Sequence, residues 1–278
     1  MPTPGLSLLG FLDQPAALVH LRNSCVVGAA DDAALTQVWS AARAALGAPI
    51  VGAGQPDIQP LSPLGVQHHA AMMQVLEIQQ LFNTVLAGGT LVMVEIEPLL
   101  AFQMTIDVTR SQHHNGGVLV APTENELLNM CLPLGPAQEQ IQMIPAPGSL
   151  LVKTRGLNFH VQGQGFMHGS FIGLQVGVSV PFSHVVRHQG RCFLHNGFHR
   201  ALALRSRGAT HMPCVFRDVG DYAAVGIRPG STFEPALLES ANPPTLGHFT
   251  QGRAHSIQLK TLSRTLHVSW AEYVTTED

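Results

Sequence analysis

The sequence predicts an α+β fold, and three observations carry that prediction. The stretch Arg191 to Phe216, RCFLHNGFHRALALRSRGATHMPCVF, reads as strand, tight turn, helix, turn, strand. Apolar residues recur at helical spacing at Leu35, Val38, Trp39, Ala42 and Leu46 and again at Ile78, Leu81, Phe82 and Val85, whereas 102–109 and 257–270 alternate with period two. The chain of 278 residues is 45% apolar and 12% charged, which is ample material for a core.

In chain order, Ala17–Leu21 and Cys25–Ala29 read as short strands around the polar turn Arg22-Asn23-Ser24. Asp31 or Asp32 caps the helix that carries Leu35 to Leu46. Prolines and glycines between Gly47 and Gly65 make a long connection and a subdomain boundary. The segment from Val66 to Leu86 is helical in its second half and stops at Gly88-Gly89. Thr90–Ile96 is a buried strand, and Phe102 to Thr109 is a half-buried one.

Asn115-Gly116-Gly117 marks a turn, Thr123 and Glu126 form a capping box for a short helix through Cys131, and Pro145 to Gly148 is a loop. Leu150–Thr154 and Asn158–Gln162 read as a hairpin, and the following GQGFMHGS reads as a flexible loop that covers the site. That loop lacks the Lys-Ser/Thr ending of a phosphate loop. Leu174–Val180 and Ser183–His188 are strands, Gln189-Gly190 is a turn, and the two alternating runs around Ser263-Arg264 form a C-terminal hairpin.

The central turn carries the chemistry. A glycine before a helix lets a ligand approach the backbone and leaves the first N–H groups pointing outward, which is an anion site. His199 and Arg200 add side-chain donors in the first turn, where a cationic pair is unfavourable beside the helix dipole unless an anion offsets it.

The run Asn196-Gly197-Phe198-His199-Arg200, followed by Ala201, Leu204, Gly208 and Met212-Pro213, resembles the signature of the ParB/sulfiredoxin-like superfamily. A weaker resemblance lies at Val94 to Gln103, similar to the strand and L-x-P-x-x-x-Q segment of those domains. Together they cover about a third of the chain. Phe198 stands where sulfiredoxin has its reactive cysteine, so thiol-phosphate chemistry is not implied. The ParB version has Glu-Arg-Arg after the glycine, and the serine kinase version has aspartate where Asn196 stands.

The resemblance implies a mixed sheet with helices over 90–219, a large insertion at about 111–172, an N-terminal addition over 1–89 and a C-terminal loop and hairpin over 220–278. It implies a nucleotide, ATP or CTP with Mg²⁺, or another phosphate ligand. Asn196, Gly197, Phe198, His199, Arg200 and Gln103 would bind it, and Glu95 or Glu97 would position magnesium or act as base in phosphoryl transfer or nucleotide hydrolysis.

Two other function classes stand beside the nucleotide-dependent enzyme or switch. One is an inactive family member that serves as a protein-interaction scaffold, favoured by Asn196 and Phe198. The other is a DNA-processing protein, opposed by the formal charge of −3, since nucleic-acid-binding domains carry a basic excess.

The fifteen histidines include the adjacent pairs His68-His69 and His113-His114, whose side chains diverge, and His195 and His199, which Gly197 separates. They read as strand and loop histidines, and no metal site is assigned. Cys25, Cys131, Cys192 and Cys214 are scattered and read as reduced, packed thiols. No export signal or membrane span is read, so the expected location is cytoplasmic.

Overall fold

A computed structural model describes residues 2–28, 30–84, 86–115, 120–135, 140–154, 159–167, 171–178, 180–228, 232–261 and 263–271. The fold is mixed α+β, and its contacts divide into two compact units, Met1–Leu134 with Phe182–Lys260, and Gly135–Pro181 with Thr261–Asp278. The first unit therefore holds residues 1–89 together with most of the segment expected as the core.

The first unit opens with strand β1 (Thr3–Ser7) and a single 3₁₀ turn over Leu9–Phe11. Helix α1 (Gln14–Ser24) follows where a strand was expected at Ala17–Leu21. Asp13 accepts a hydrogen bond from the Ala16 N–H, and Pro15 stands in the first turn, so the start is capped and pre-set for helix. Ala17, Leu18 and Leu21 then fall on one buried face. Cys25 makes a single bridge to Leu259, in place of the expected strand Cys25–Ala29, and Ala29 lies outside the described residues. Helix α2 (Asp32–Ala45) starts at Asp31, whose carboxylate accepts from Ala34 N–H at 2.8 Å. Leu35 and Ala42 face a core made with Leu9, Leu18, Leu21, Ile257 and Leu259, each large side chain worth about 2 kcal/mol of burial.

Strand β2 (Ile58–Pro60) interrupts the expected connection, and helix α3 (Pro63–Met72) begins at a Ser62 cap, earlier than the periodicity suggested. Helix α4 (Leu76–Thr84) carries the expected apolar face, with Ile78 and Phe82 buried; Val85 lies outside the described residues. Strand β3 (Thr90–Glu95) forms where a buried strand was expected, with Val94 alone of its residues buried. The predicted strand over 102–109 shrinks to β4 (Thr105–Asp107), because the Asp107 carboxylate accepts from Arg110 N–H at 3.1 Å and turns the chain into helix α5 (Val108–Asn115). Helix α6 (Glu124–Cys131) has the predicted capping box, with Thr123 and Glu126 bonded reciprocally.

In the second unit, β5 (Ile141–Ala146) and β6 (Ser149–Thr154) form a hairpin about Gly148, whose φ is +67°. Of the expected loop, Pro145 and Ala146 are strand and Pro147-Gly148 are the turn. Strand β7 (Phe159–Met167) pairs with β8 (Phe171–Val178), so the expected pairing of Leu150–Thr154 with Asn158–Gln162 does not occur. Residues 163–167 of the predicted glycine-rich loop are strand, because their backbone pairs with 171–175; residues 168–170 lie outside the described residues.

The chain re-enters the first unit with β9 (His184–His188), the tight turn Gln189-Gly190 and β10 (Arg191–Asn196). Helix α7 (Phe198–Ser206) leads to β11 (His211–Asp218). Short helices α8 (Tyr222–Val225), α9 (Pro235–Leu238) and α10 (Leu246–Thr250) precede β12 (His255–Leu259). Strand β13 (Arg264–Ser269) belongs to the second unit and pairs with β6, while β12 pairs with β1. The predicted C-terminal hairpin is therefore two strands of different sheets. Alternation marks a strand but not its neighbour.

The main sheet of the first unit runs β10-β9-β11-β3-β2, antiparallel except where β11 lies parallel to β9. All four cysteines are free and buried, and no described helix is long and apolar enough to cross a membrane.

Candidate anion site at the start of helix α7

Gly197 joins β10 to α7 with φ +112° and ψ 15°, a conformation that L side chains rarely adopt, and a Cβ there would stand 2.9 Å from the Ser183 hydroxyl. The Ala201 N–H makes the first intrahelical bond, to Gly197 O at 2.8 Å. Gly197 offers no side-chain cap, so the positive end of the α7 dipole is left to its surroundings.

Those surroundings are cationic. Helix α5 packs on α7, and Arg110, His113 and His114, spaced i, i+3, i+4, are carried on it. His199 is held near pKa 4, by burial first and then by Arg110, His114 and Arg200, against which Asp107 pulls upward. The His114 ring is also pushed to about 4, by the protein packed around it and then by Arg200, His113 and Arg110. The residue is nevertheless exposed at the surface. Asp107 is the carboxylate beside the neutral His199 ring, and its two oxygens already accept from Arg110 N–H and the Thr3 hydroxyl.

The residues singled out from sequence take distinct places. Asn196 donates its amide to Phe182 O at 2.9 Å, which fixes the turn. Phe198 is buried with its ring edge-to-face against Phe102 at 5.6 Å. His199 accepts the Asp107 N–H at Nε2, 3.3 Å away, so its neutral ring carries the proton on Nδ1. Arg200 turns inward rather than toward a ligand. It is 4% exposed and donates to Met130 O and Cys131 O, both at 3.3 Å, closing the last turn of α6. Burial lowers its pKa to about 10, and it keeps its charge at neutral pH. Gln103 donates to the nearby Thr105 O.

Glu95 and Glu97 are not brought to this turn. Glu97 pairs with Arg205 in the last turn of α7, at 2.6 and 3.0 Å, about 12 Å along the helix from Gly197. Burial pushes its carboxyl up, but hydrogen bonds from Arg205, Gln251 and Thr250 outweigh that and hold it below the usual range. Glu95 lies opposite His211, at the start of β11, and accepts the Asp57 N–H. The spacing of Arg110, His113 and His114 was the signal for the basic side chains of α5. A strand reading of 102–109 conceals it.

Among the described residues no group of three or more histidine, cysteine, aspartate or glutamate side chains is arranged to hold a metal ion. Comparison with family models, with curated proteins and with solved structures finds no match for the chain.

Proposed function

We propose that the chain binds a phosphate-bearing ligand, a nucleotide such as ATP or CTP, at the start of α7. The observation that carries this reading is the gathering of Arg110, His114, His199 and Arg200 around an uncapped helix N-terminus with Asp107 as the facing carboxylate. An anion there would meet the Arg110 and Arg200 charges and draw protons onto the two neutral histidine rings. The order β10, Gly197, α7, β11 also suits the ParB/sulfiredoxin-like resemblance, which stays part of the proposal. With Glu95 and Glu97 at the far end of α7, the reading is one of binding, and any Mg²⁺ would arrive on the ligand's phosphates.

A second reading, a protein-interaction scaffold, is favoured by the engagement of Asn196, His199 and Arg200 with internal partners. Thermal melting with ATP, CTP, GTP and UTP, with and without Mg²⁺, separates the two. A ligand at a hundred times its dissociation constant stabilises by about 2.7 kcal/mol. The binding reading expects a shift that His114→Ala and Arg110→Ala abolish and that grows from pH 7 to pH 5, since a bound anion raises the two depressed histidines and takes up protons. No shift at millimolar nucleotide leaves the scaffold reading.

A further inference from the structure

At the opposite end of α7 the chain assembles a second polar group, independent of the anion site. Strands β11, β3 and β2 are neighbours, so His211, Glu95 and the residue before β2, Asp57, lie in one row across three strands. Asp57 is held there by two hydrogen bonds with Glu95, Glu95 N–H to Asp57 O at 2.9 Å and Asp57 N–H to the Glu95 carboxylate at 3.2 Å. Its Oδ2 stands 3.3 Å from His211 Nε2 and also accepts from the Gln59 amide at 2.6 Å. On the other side of the ring, His211 Nδ1 lies 3.0 Å from the Thr210 hydroxyl.

The Gln59 amide nitrogen also stands 3.4 Å from Nε2, and the Asp57 carboxylate, at 3.3 Å and accepting only, sets the tautomer. With Nε2–H donated to the Asp57 carboxylate, the Nδ1 lone pair accepts the Thr210 hydroxyl proton. The relay opens into a cleft of about 280 Å³ whose wall includes Thr210, His211, Met93, Pro122 and Leu127. Thr210 is exposed to it, and Met93, Pro122 and Leu127 supply apolar side chains to a wall that is otherwise partly polar. A hydroxyl, a base and an orienting carboxylate in hydrogen-bond sequence, at the edge of a cleft with apolar side chains in its wall, make an arrangement for nucleophilic acyl transfer.

We propose that this cleft hydrolyses esters of short apolar acyl groups, with Thr210 as nucleophile and His211 as base. Thr210 Oγ forms a bond to the acyl carbon while His211 Nδ1 takes its proton. The bond from that carbon to the alcohol oxygen breaks, and His211 returns the proton to the departing alcohol. Water then attacks the acyl-threonine with the same base, releasing the carboxylic acid and restoring the hydroxyl. Asp57 is a positioning residue that holds the ring and stabilises its protonated form.

The test is hydrolysis of p-nitrophenyl acetate, butyrate and octanoate by the full chain, beside labelling with a fluorophosphonate. Turnover should fall by about 100-fold or more in Thr210→Val and in His211→Gln. The fluorophosphonate should phosphonylate Thr210, as read by peptide mass, and melting midpoints should stay unchanged because Thr210 lies at the surface. Asp57→Asn should lower kcat on the three esters with KM unchanged, because the ring loses the acceptor that orients it. A merely structural Asp57 would leave kcat in place. Full turnover in Thr210→Val, or no turnover by the parent chain on any of the three esters, overturns the proposal.

Discussion

Arg200 joins two functions that pull in different directions. Its charge contributes to the field at the start of α7, while its guanidinium, sealed from water, supplies donors to two carbonyls at the end of α6. A buried polar group stripped of its partner costs its desolvation in full, and here two acceptors would be stripped at once. Arg200→Ala is expected to lower unfolding free energy by about 3 kcal/mol, measured by urea denaturation. Arg200→Lys should recover only part of that, since an ammonium cannot reproduce the planar fork. A loss under about 0.5 kcal/mol would mean that the side chain faces solvent. Nucleotide binding is for this reason better probed at Arg110 and His114 than at Arg200.

Helix α6 shows how an element is secured from both sequence neighbours and distant chain. The Thr123 hydroxyl accepts Glu126 N–H, and Glu126 closes the box while also receiving Arg207, which in turn holds Val120 O. The backbone N–H of Thr123 first, and then Arg207, draw the Glu126 carboxyl down to about 2. Thr123→Ala should cost about 1 kcal/mol. Because both groups meet on Glu126, a double-mutant cycle with Arg207→Ala should give a coupling clearly different from zero by urea denaturation. Additive losses would show that the cap and the arginine act separately. The cap was legible in sequence because its parts lie three residues apart, and so were Asp31 and the turn at Gly197. The helix at Gln14–Ser24 was not, since a short apolar run suits either period until Asp13 is recognised as its cap. Pairing partners were not legible either. Strands β6 and β13 meet across more than a hundred residues, and the roles of Arg200 and Glu97 depend on groups 70 and 108 residues away, distances that local spacing does not encode.

At the scale of the whole molecule, among the described residues, the histidines with lowered pKa values are His20, His114, His184, His195, His199 and His248, all in the first unit. Burial is the leading cause for each. In His184 it is joined by His195, whose ring lies 4.8 Å away, and by Arg217, bringing the group to about 3. His248 is fully buried, accepts Thr245 N–H at Nδ1 and packs edge-on to Phe11, and is held near 4. An unfolded histidine binds its proton near pH 6.5, so below that pH the unfolded chain takes up protons that the folded chain refuses. The stability these neutral rings contribute is complete above about 6.5 and is lost progressively as pH falls toward 4. For His248 alone the loss between pH 7 and pH 5 is about 2 kcal/mol. Glu97, Asp57 and Asp218, all held below the usual carboxylate range, give up their share at lower pH still. Urea denaturation at pH 7 and pH 5 should therefore show a marked fall before any carboxylate protonates. His248→Gln, which keeps an acceptor for Thr245 but does not titrate, should be less stable at pH 7 and should show a pH 7 to pH 5 difference smaller by about 2 kcal/mol. An unchanged difference would mean that the ring is protonated in the folded chain, and that the positive charge of this unit is relieved at some other group.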